Sequence, residues 1–271
     1  MPHPLSPQES VGMTALLAAE RVLLQLDVRS KNAAYGFKAH REIVTHADRA
    51  ANRVILETLR KGTPDYDILS EEGSLRTRSP WRWIVDPLDG TTNYAARLPL
   101  WGISIALAYQ GDVRLGLISL PALGERYVAR KDGGAWRSFS GTKGQTTTLK
   151  RIHVSKVSAL RDSLGLACFG YVAANKRALM SIEPTLAYRS RSIRHLGAAV
   201  IEASWVASGR ADYSILTGVR PWDVAAGALL VREAGGRVLT PSGREWTLDH
   251  GRVLFVTPGV ERSVVAITRR V

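Results

Sequence analysis

Asp86 and Asp89 stand three positions apart, behind the apolar run Trp83-Ile84-Val85 and ahead of Gly90-Thr91-Thr92-Asn93-Tyr94. Pro87 and Gly90 predict a turn that carries both carboxylates. Carboxylates held that close repel each other unless a cation lies between them. Oxygen-only ligands suit a hard ion such as Mg²⁺. The backbone N–H groups of Gly90 and Thr91, with the hydroxyls of Thr91 and Thr92, come next. Donors of that kind beside a metal hold phosphate oxygens. A metal and a phosphate at one turn point to phosphoryl chemistry. Uncatalysed hydrolysis of a phosphate monoester is so slow that enzymes supply up to about 10²¹-fold. Two metals meet that demand by activating water and stabilising the leaving oxygen.

Three further acidic residues close an apolar segment or open a helix. They are Asp48 in Val44-Thr45-His46-Ala47-Asp48, Glu71 in Ile68-Leu69-Ser70-Glu71-Glu72-Gly73, and Asp223 in Arg220-Pro221-Trp222-Asp223. Alone, Asp48 and Asp223 are first-turn helix residues favoured by the dipole, and Glu71 is a solvated turn residue. The six histidines, at 3, 40, 46, 153, 195 and 250, show no zinc-ligand spacing. There is no DxDx(T/V) run to form a phospho-enzyme.

The elements that must position these residues alternate. Helices are predicted over Glu9–Leu26 and His46–Arg60. A loop with Ser30, Lys31, Asn32 and Gly36 lies between them, and Asp67–Ser70 reads as a strand leading to Glu71. After the central motif, strands are expected over Trp101–Tyr109, Val113–Leu120 and Arg126–Arg130. Ser138–Lys150 reads as a polar loop dividing an N-terminal half, 1–140, from a C-terminal half, 151–271. The second half then predicts strands at Leu164–Phe169, Ser190–His195, Ala211–Leu216, Arg237–Leu239 and Val253–Val256. Its helices are expected at Asn175–Tyr188, Gly197–Ser208, Trp222–Ala234 and Val260–Arg269. The class is α/β (α+β) with mixed sheets.

In this order the acidic islands resemble the inositol monophosphatase family, the magnesium-dependent, lithium-sensitive phosphatases. Trp83–Tyr94 looks like that family's central signature and Trp222–Gly227 like its C-terminal one. The resemblance implies a five-layered α/β/α/β/α sandwich of the inositol monophosphatase / fructose-1,6-bisphosphatase type, and commonly a homodimer. It also implies roles. Glu71, Asp86 and the carbonyl of Leu88 would hold one Mg²⁺. Asp86, Asp89 and Asp223 would hold a second, and a third, weaker ion is often part of the scheme. Thr91, bonded to Asp48, would join Glu71 in positioning the attacking water. Asp89 and the N–H groups of Gly90 and Thr91 would face the phosphate. Gly197, Ala198 and Ala199 match a small-residue turn against the substrate.

Two positions depart from the pattern. Glu42 stands where many relatives have Asp. Leu216 stands seven positions before Asp223, where the family's inositol-type substrates meet an acidic residue. A leucine accepts no hydrogen bond from a hydroxyl. Inositol 1-phosphate is the default substrate, with a sugar, nucleoside or histidinol phosphate of a specialised biosynthetic pathway beside it. Arg191, Arg194 and Arg220 could add charge near the pocket.

Composition bounds the rest. The chain has 271 residues, 45% of them hydrophobic, enough for a sizeable core. No apolar run reaches membrane-helix length, and Met1–Ser6 lacks the features of a secretory signal. The single cysteine, Cys168, excludes an intramolecular disulfide, suits a reducing cytoplasm and reads as a buried structural thiol. The net charge of +13 would attract anionic substrates. Basic residues are spread without blocks or aromatic interleaving, which argues against nucleic-acid binding. The rival from another class is a non-catalytic protein on the same fold, binding RNA or the transcription machinery.

Overall fold

The run that ends in the acidic pair is a central strand buried on both faces. In the computed structural model, which describes residues 6–29, 35–39, 42–139 and 148–270, it extends over Trp81–Asp89. Trp83 and Val85 pack with Ile103 and Ile105 under the first helices, while Ile84 faces the other way with Ala106 and Val200. That two-sided burial explains a continuous apolar run instead of an alternating one.

In chain order the first half holds α1 (Pro7–Arg29), β1 (Tyr35–Ala39), β2 (Glu42–Thr45), α2 (His46–Gly62), β3 (Asp67–Ser70), β4 (Gly73–Leu75), β5 (Trp81–Asp89) and α3 (Thr91–Ala95). There follow β6 (Gly102–Tyr109), β7 (Asp112–Leu120), β8 (Glu125–Arg130), β9 (Gly134–Phe139) and β10 (Lys150–Arg151). The remainder is β11 (Leu164–Phe169), α4 (Ala173–Arg189), β12 (Ser192–Arg194), α5 (Ala199–Ala207), β13 (Tyr213–Thr217), α6 (Pro221–Glu233), β14 (Arg237–Leu239), β15 (Arg252–Val256) and α7 (Glu261–Thr268).

An eight-stranded sheet runs β10-β9-β8-β7-β6-β5-β3-β4, antiparallel except for the β3–β5 pair. A five-stranded sheet runs β12-β11-β13-β15-β14, with β11 parallel to both its neighbours. Helices α1 and α2 cover the outer face of the first sheet, and α4 and α7 cover the second. Helices α5 and α6 lie between the sheets and touch both. The result is the five-layered α/β/α/β/α sandwich. The middle layer is tight because its residues are small. A Cβ on Gly227 of α6 would come within 2.5 Å of the Ala203 Cβ of α5. Salt bridges tie α1 to the sheet: Glu20 pairs with Arg126 at 2.6 Å and also accepts from Ser119.

Two expectations change. Gly36 lies in a strand of the β1–β2 hairpin, not in a loop, because antiparallel pairing with Val44 overrides its weak propensity. The rest of that expected loop, residues 30–34, lies outside the described residues, as do residues 140–147 of the expected dividing loop and residues 1–5 at the N-terminus. The turn expected directly after Asp86 is instead a continuation of β5 to Asp89.

Candidate active site

The acidic pair owes its aim to a bulge. Asp86 pairs with Ser104 and Asp89 with Gly102, so Pro87 and Leu88 together oppose Ile103 alone. Proline donates nothing to the ladder and is tolerated at such an irregularity. The freed Leu88 N–H turns back to Asp86 Oδ1 at 3.0 Å. The chain then reverses at Gly90, whose φ of 84° is left-handed. A Cβ there would come within 2.9 Å of the Leu100 carbonyl oxygen, so only glycine fits without a shift.

The short helix α3 starts at Thr91. The Thr91 hydroxyl lies 2.9 Å from Asp48 Oδ1, in the first turn of α2, and 3.0 Å from the Leu88 carbonyl. Asp48 is buried. Asn93 donates to the carbonyls of Leu100 and Leu196, each at 2.7 Å, and so ties the turn to the segment before α5. Gly197, with φ at 71°, lies against Asn93. Ala199 is buried at the head of α5. Next to it, the Val200 N–H donates to Asp89 Oδ2 at 2.7 Å. Asp223 sits at the third position of α6, after Pro221, and its Oδ2 accepts the Arg220 N–H at 2.7 Å. Glu71 follows β3 and donates its own N–H to the Val85 carbonyl at 3.2 Å.

Burial pushes the Asp86 carboxyl well above its usual range, and repulsion from Glu71, Asp89 and Asp223 adds to it. Asp89 is raised in the same way, by burial first and Asp223 next, with the Val200 N–H pulling in the opposite direction. Four carboxylates from three separate segments, the end of β3, β5 and α6, therefore share one electrostatic neighbourhood. Among the described residues, no three acidic, histidine or cysteine side chains close into a finished coordination shell.

Leu216 lies on β13. It is 1% exposed and packs into the middle-layer core, because side chains on β13 alternate and its face looks toward α5 and α6. Cys168, expected to be buried, is only partly so. It pairs with Leu216 across β11 and β13 at the end of the strand that opens toward the acidic cluster.

Three residues escaped the sequence reading. Tyr171 places its hydroxyl 3.0 Å from Thr92 Oγ1. Nothing local signals this, since the partners are 79 positions apart. Glu202, in α5, is fully buried and accepts the Ser214 hydroxyl at 2.6 Å. Burial lifts its carboxyl to about 8 against the pull of hydrogen bonds from Ser214 and the Leu196 N–H. The periodic spacing of α5 does mark position 202 as inward-facing, but a lone Glu reads as surface. Asn93, read only as part of the motif, proves to be the strap between the two segments.

The inositol monophosphatase family matches this chain over residues 7–270. The chain belongs to that family. It is 36% identical over 236 residues to the fructose-1,6-bisphosphatase/inositol-1-monophosphatase of Thermotoga maritima, covering 87% of this chain and 85% of the relative. It is 33% identical over 238 residues to the Nus factor SuhB of Escherichia coli K12, covering 86% and 84%. Among solved structures, the extragenic suppressor protein suhB of Bartonella henselae superposes with a TM-score of 0.87 at 28% identity, over 96% of this chain and 97% of that one. The family membership and the sandwich agree: the signature motifs fall where the two sheets and the middle helices converge.

Proposed function

We propose that this protein hydrolyses a small phosphate monoester with Mg²⁺ as cofactor. The observation that carries the reading is the shared neighbourhood of Glu71, Asp86, Asp89 and Asp223, in which burial and repulsion leave Asp86 and Asp89 unfavourable as anions. Such a set fits hard divalent cations, which convert that repulsion into binding. Glu71, Asp86 and the Leu88 carbonyl would hold one ion, and Asp86, Asp89 and Asp223 a second. Bound there, the ions make water a stronger nucleophile and offset the charge of the transferring phosphoryl group.

The chain's own groups supply the positioning. Thr91 Oγ1 commits its proton to Asp48 and Leu88. Its lone pairs are then left to accept a hydrogen bond from the attacking water, while the Glu71 carboxylate takes the water's other proton as acceptor. The N–H groups of Gly90 and Thr91 hold phosphate oxygens. Gly197 and Ala199 lie on the alcohol side, where their small size leaves room. The net charge of +13 draws in the anionic ester.

Phosphate release tests this against inositol 1-phosphate, fructose 1,6-bisphosphate, histidinol phosphate and nucleoside monophosphates, with and without Mg²⁺ and Li⁺. Mg²⁺-dependent, Li⁺-sensitive turnover of any member supports the reading. Equal turnover by wild type and Asp86→Asn removes it. A second reading, a non-catalytic role in binding RNA or the transcription machinery, draws on the basic charge and on the likeness to a protein named a Nus factor. RNA affinity that falls steeply with salt would favour it.

A further inference from the structure

The end of β11 carries two side chains that the phosphate chemistry does not use. Cys168 faces the acidic cluster. It is partly buried and packs against the middle-layer core. A neutral thiol is a weak hydrogen-bonding group and behaves as a small apolar one.

Three residues on, Tyr171 is 52% exposed and hangs beside the phosphate turn through its hydrogen bond to Thr92. Val172, next to it, is 56% exposed. Beside Cys168, across the β11–β13 pairing, stands Leu216. Few hydroxyls at this end are left with a free O–H. The Tyr171 and Thr92 hydroxyls bond each other, and the Thr217 hydroxyl donates to the Asn175 carbonyl at 3.2 Å. Arg220, on the α6 side, is exposed and offers only donors.

A polyol brings hydroxyls that each need a partner once water is displaced, and leaving them unpaired weakens binding. A ring with an apolar face makes no such demand and gains by packing against a phenol. We propose that the alcohol half of the pocket selects phosphate monoesters whose alcohol carries a flat apolar ring, with Tyr171 as the specificity-determining residue. This rests on the phosphatase reading for the placement of the phosphate.

Calorimetry on the Mg²⁺-loaded protein tests it with two non-hydrolysable probes, benzylphosphonate and methylphosphonate. Benzylphosphonate is expected to bind about fivefold or more tightly, the size of a good aromatic contact. Tyr171→Ala narrows that ratio by about threefold or more, whereas Tyr171→Phe keeps it because the ring remains. In turnover, benzyl phosphate should show a lower KM than inositol 1-phosphate. Both are alkyl esters, so leaving-group reactivity does not bias the comparison. Equal affinity for the two phosphonates, or a ratio that survives Tyr171→Ala, overturns the inference. A benzyl preference without turnover of any ester keeps the ring site and removes the phosphatase reading. Turnover of inositol 1-phosphate without a benzyl preference does the reverse.

Discussion

Asp89 accepts a 2.7 Å hydrogen bond from the backbone N–H of Val200, 111 positions further along the chain. One Asp89 oxygen is thus fixed by the head of α5. The bulge in β5 fixes the backbone from which it projects. The aim of the carboxylate is set by two elements that a change at either one would disturb.

Asp86→Asn should abolish Mg²⁺-dependent phosphate release, a loss of about 10³-fold or more, because the residue is shared by both proposed ion sites. The Mg²⁺-free variant should nonetheless be more stable than wild type, by roughly 1–2 kcal/mol, since one buried repelling charge is gone. The Asn Oδ1 still accepts the Leu88 N–H. Chemical denaturation in EDTA checks this, and a less stable variant would contradict the repulsion account.

Thr91→Ala should lower turnover by about 10²-fold, with substrate affinity less affected, because the hydroxyl acts on the attacking water and not on the alcohol. Thr91→Ser restores the oxygen and should recover most of the rate. If Ser and Ala are equally impaired, the methyl group and not the hydroxyl matters.

Gly90→Ala combines a left-handed φ with a Cβ placed 2.9 Å from a backbone carbonyl. It should cost about 2–4 kcal/mol and most of the activity. Gly235→Ala is the control. Its φ is 88°, but nothing lies within 4 Å of the new Cβ. It should cost only about 1–2 kcal/mol and leave turnover near wild type. Urea melts and initial rates on both variants decide the point.

Glu202 binds its proton more tightly folded than unfolded, with the carboxyl raised from 4.5 to about 8. The folded state therefore holds an extra proton between those values. The stability this contributes is full below pH 4.5 and is lost as pH rises toward 8. The slope is up to about 1.4 kcal/mol per pH unit. Glu202→Gln should flatten this part of the profile. Denaturation at pH 5.5 and 8, with saturating Mg²⁺ so that Asp86 and Asp89 stay ionised, gives the difference. Parallel profiles for wild type and variant would show that Glu202 is ionised when folded.

Much of this site was legible because its decisive signals are local. Asp86, Asp89, Gly90 and Thr91 sit within one continuous stretch, and Asp48 and Asp223 each open a helix that the apolar spacing predicts. The bulge was not legible, since Pro87 after an apolar run reads as a strand terminus, and only pairing with Ile103 and Ser104 keeps the strand going. The distance of Leu216 from Asp223 along the chain says nothing about the face it takes on β13, which is the one packed into the middle-layer core. Tyr171 and Glu202 depend wholly on partners brought in by the fold, Thr92 for one and Ser214 for the other.

The middle helix layer also has a consequence for biosynthesis. Asp89 leaves the ribosome well before Val200 and Asp223, which supply its hydrogen bond and its acidic neighbour. At about 5–20 residues per second, translation of the intervening stretch takes on the order of ten seconds. For that interval the nascent first sheet has its inner apolar face uncovered, because α5 and α6 do not yet exist. The emerging chain must be shielded during that wait, and slowing elongation between codons 90 and 223 should raise the fraction lost to aggregation.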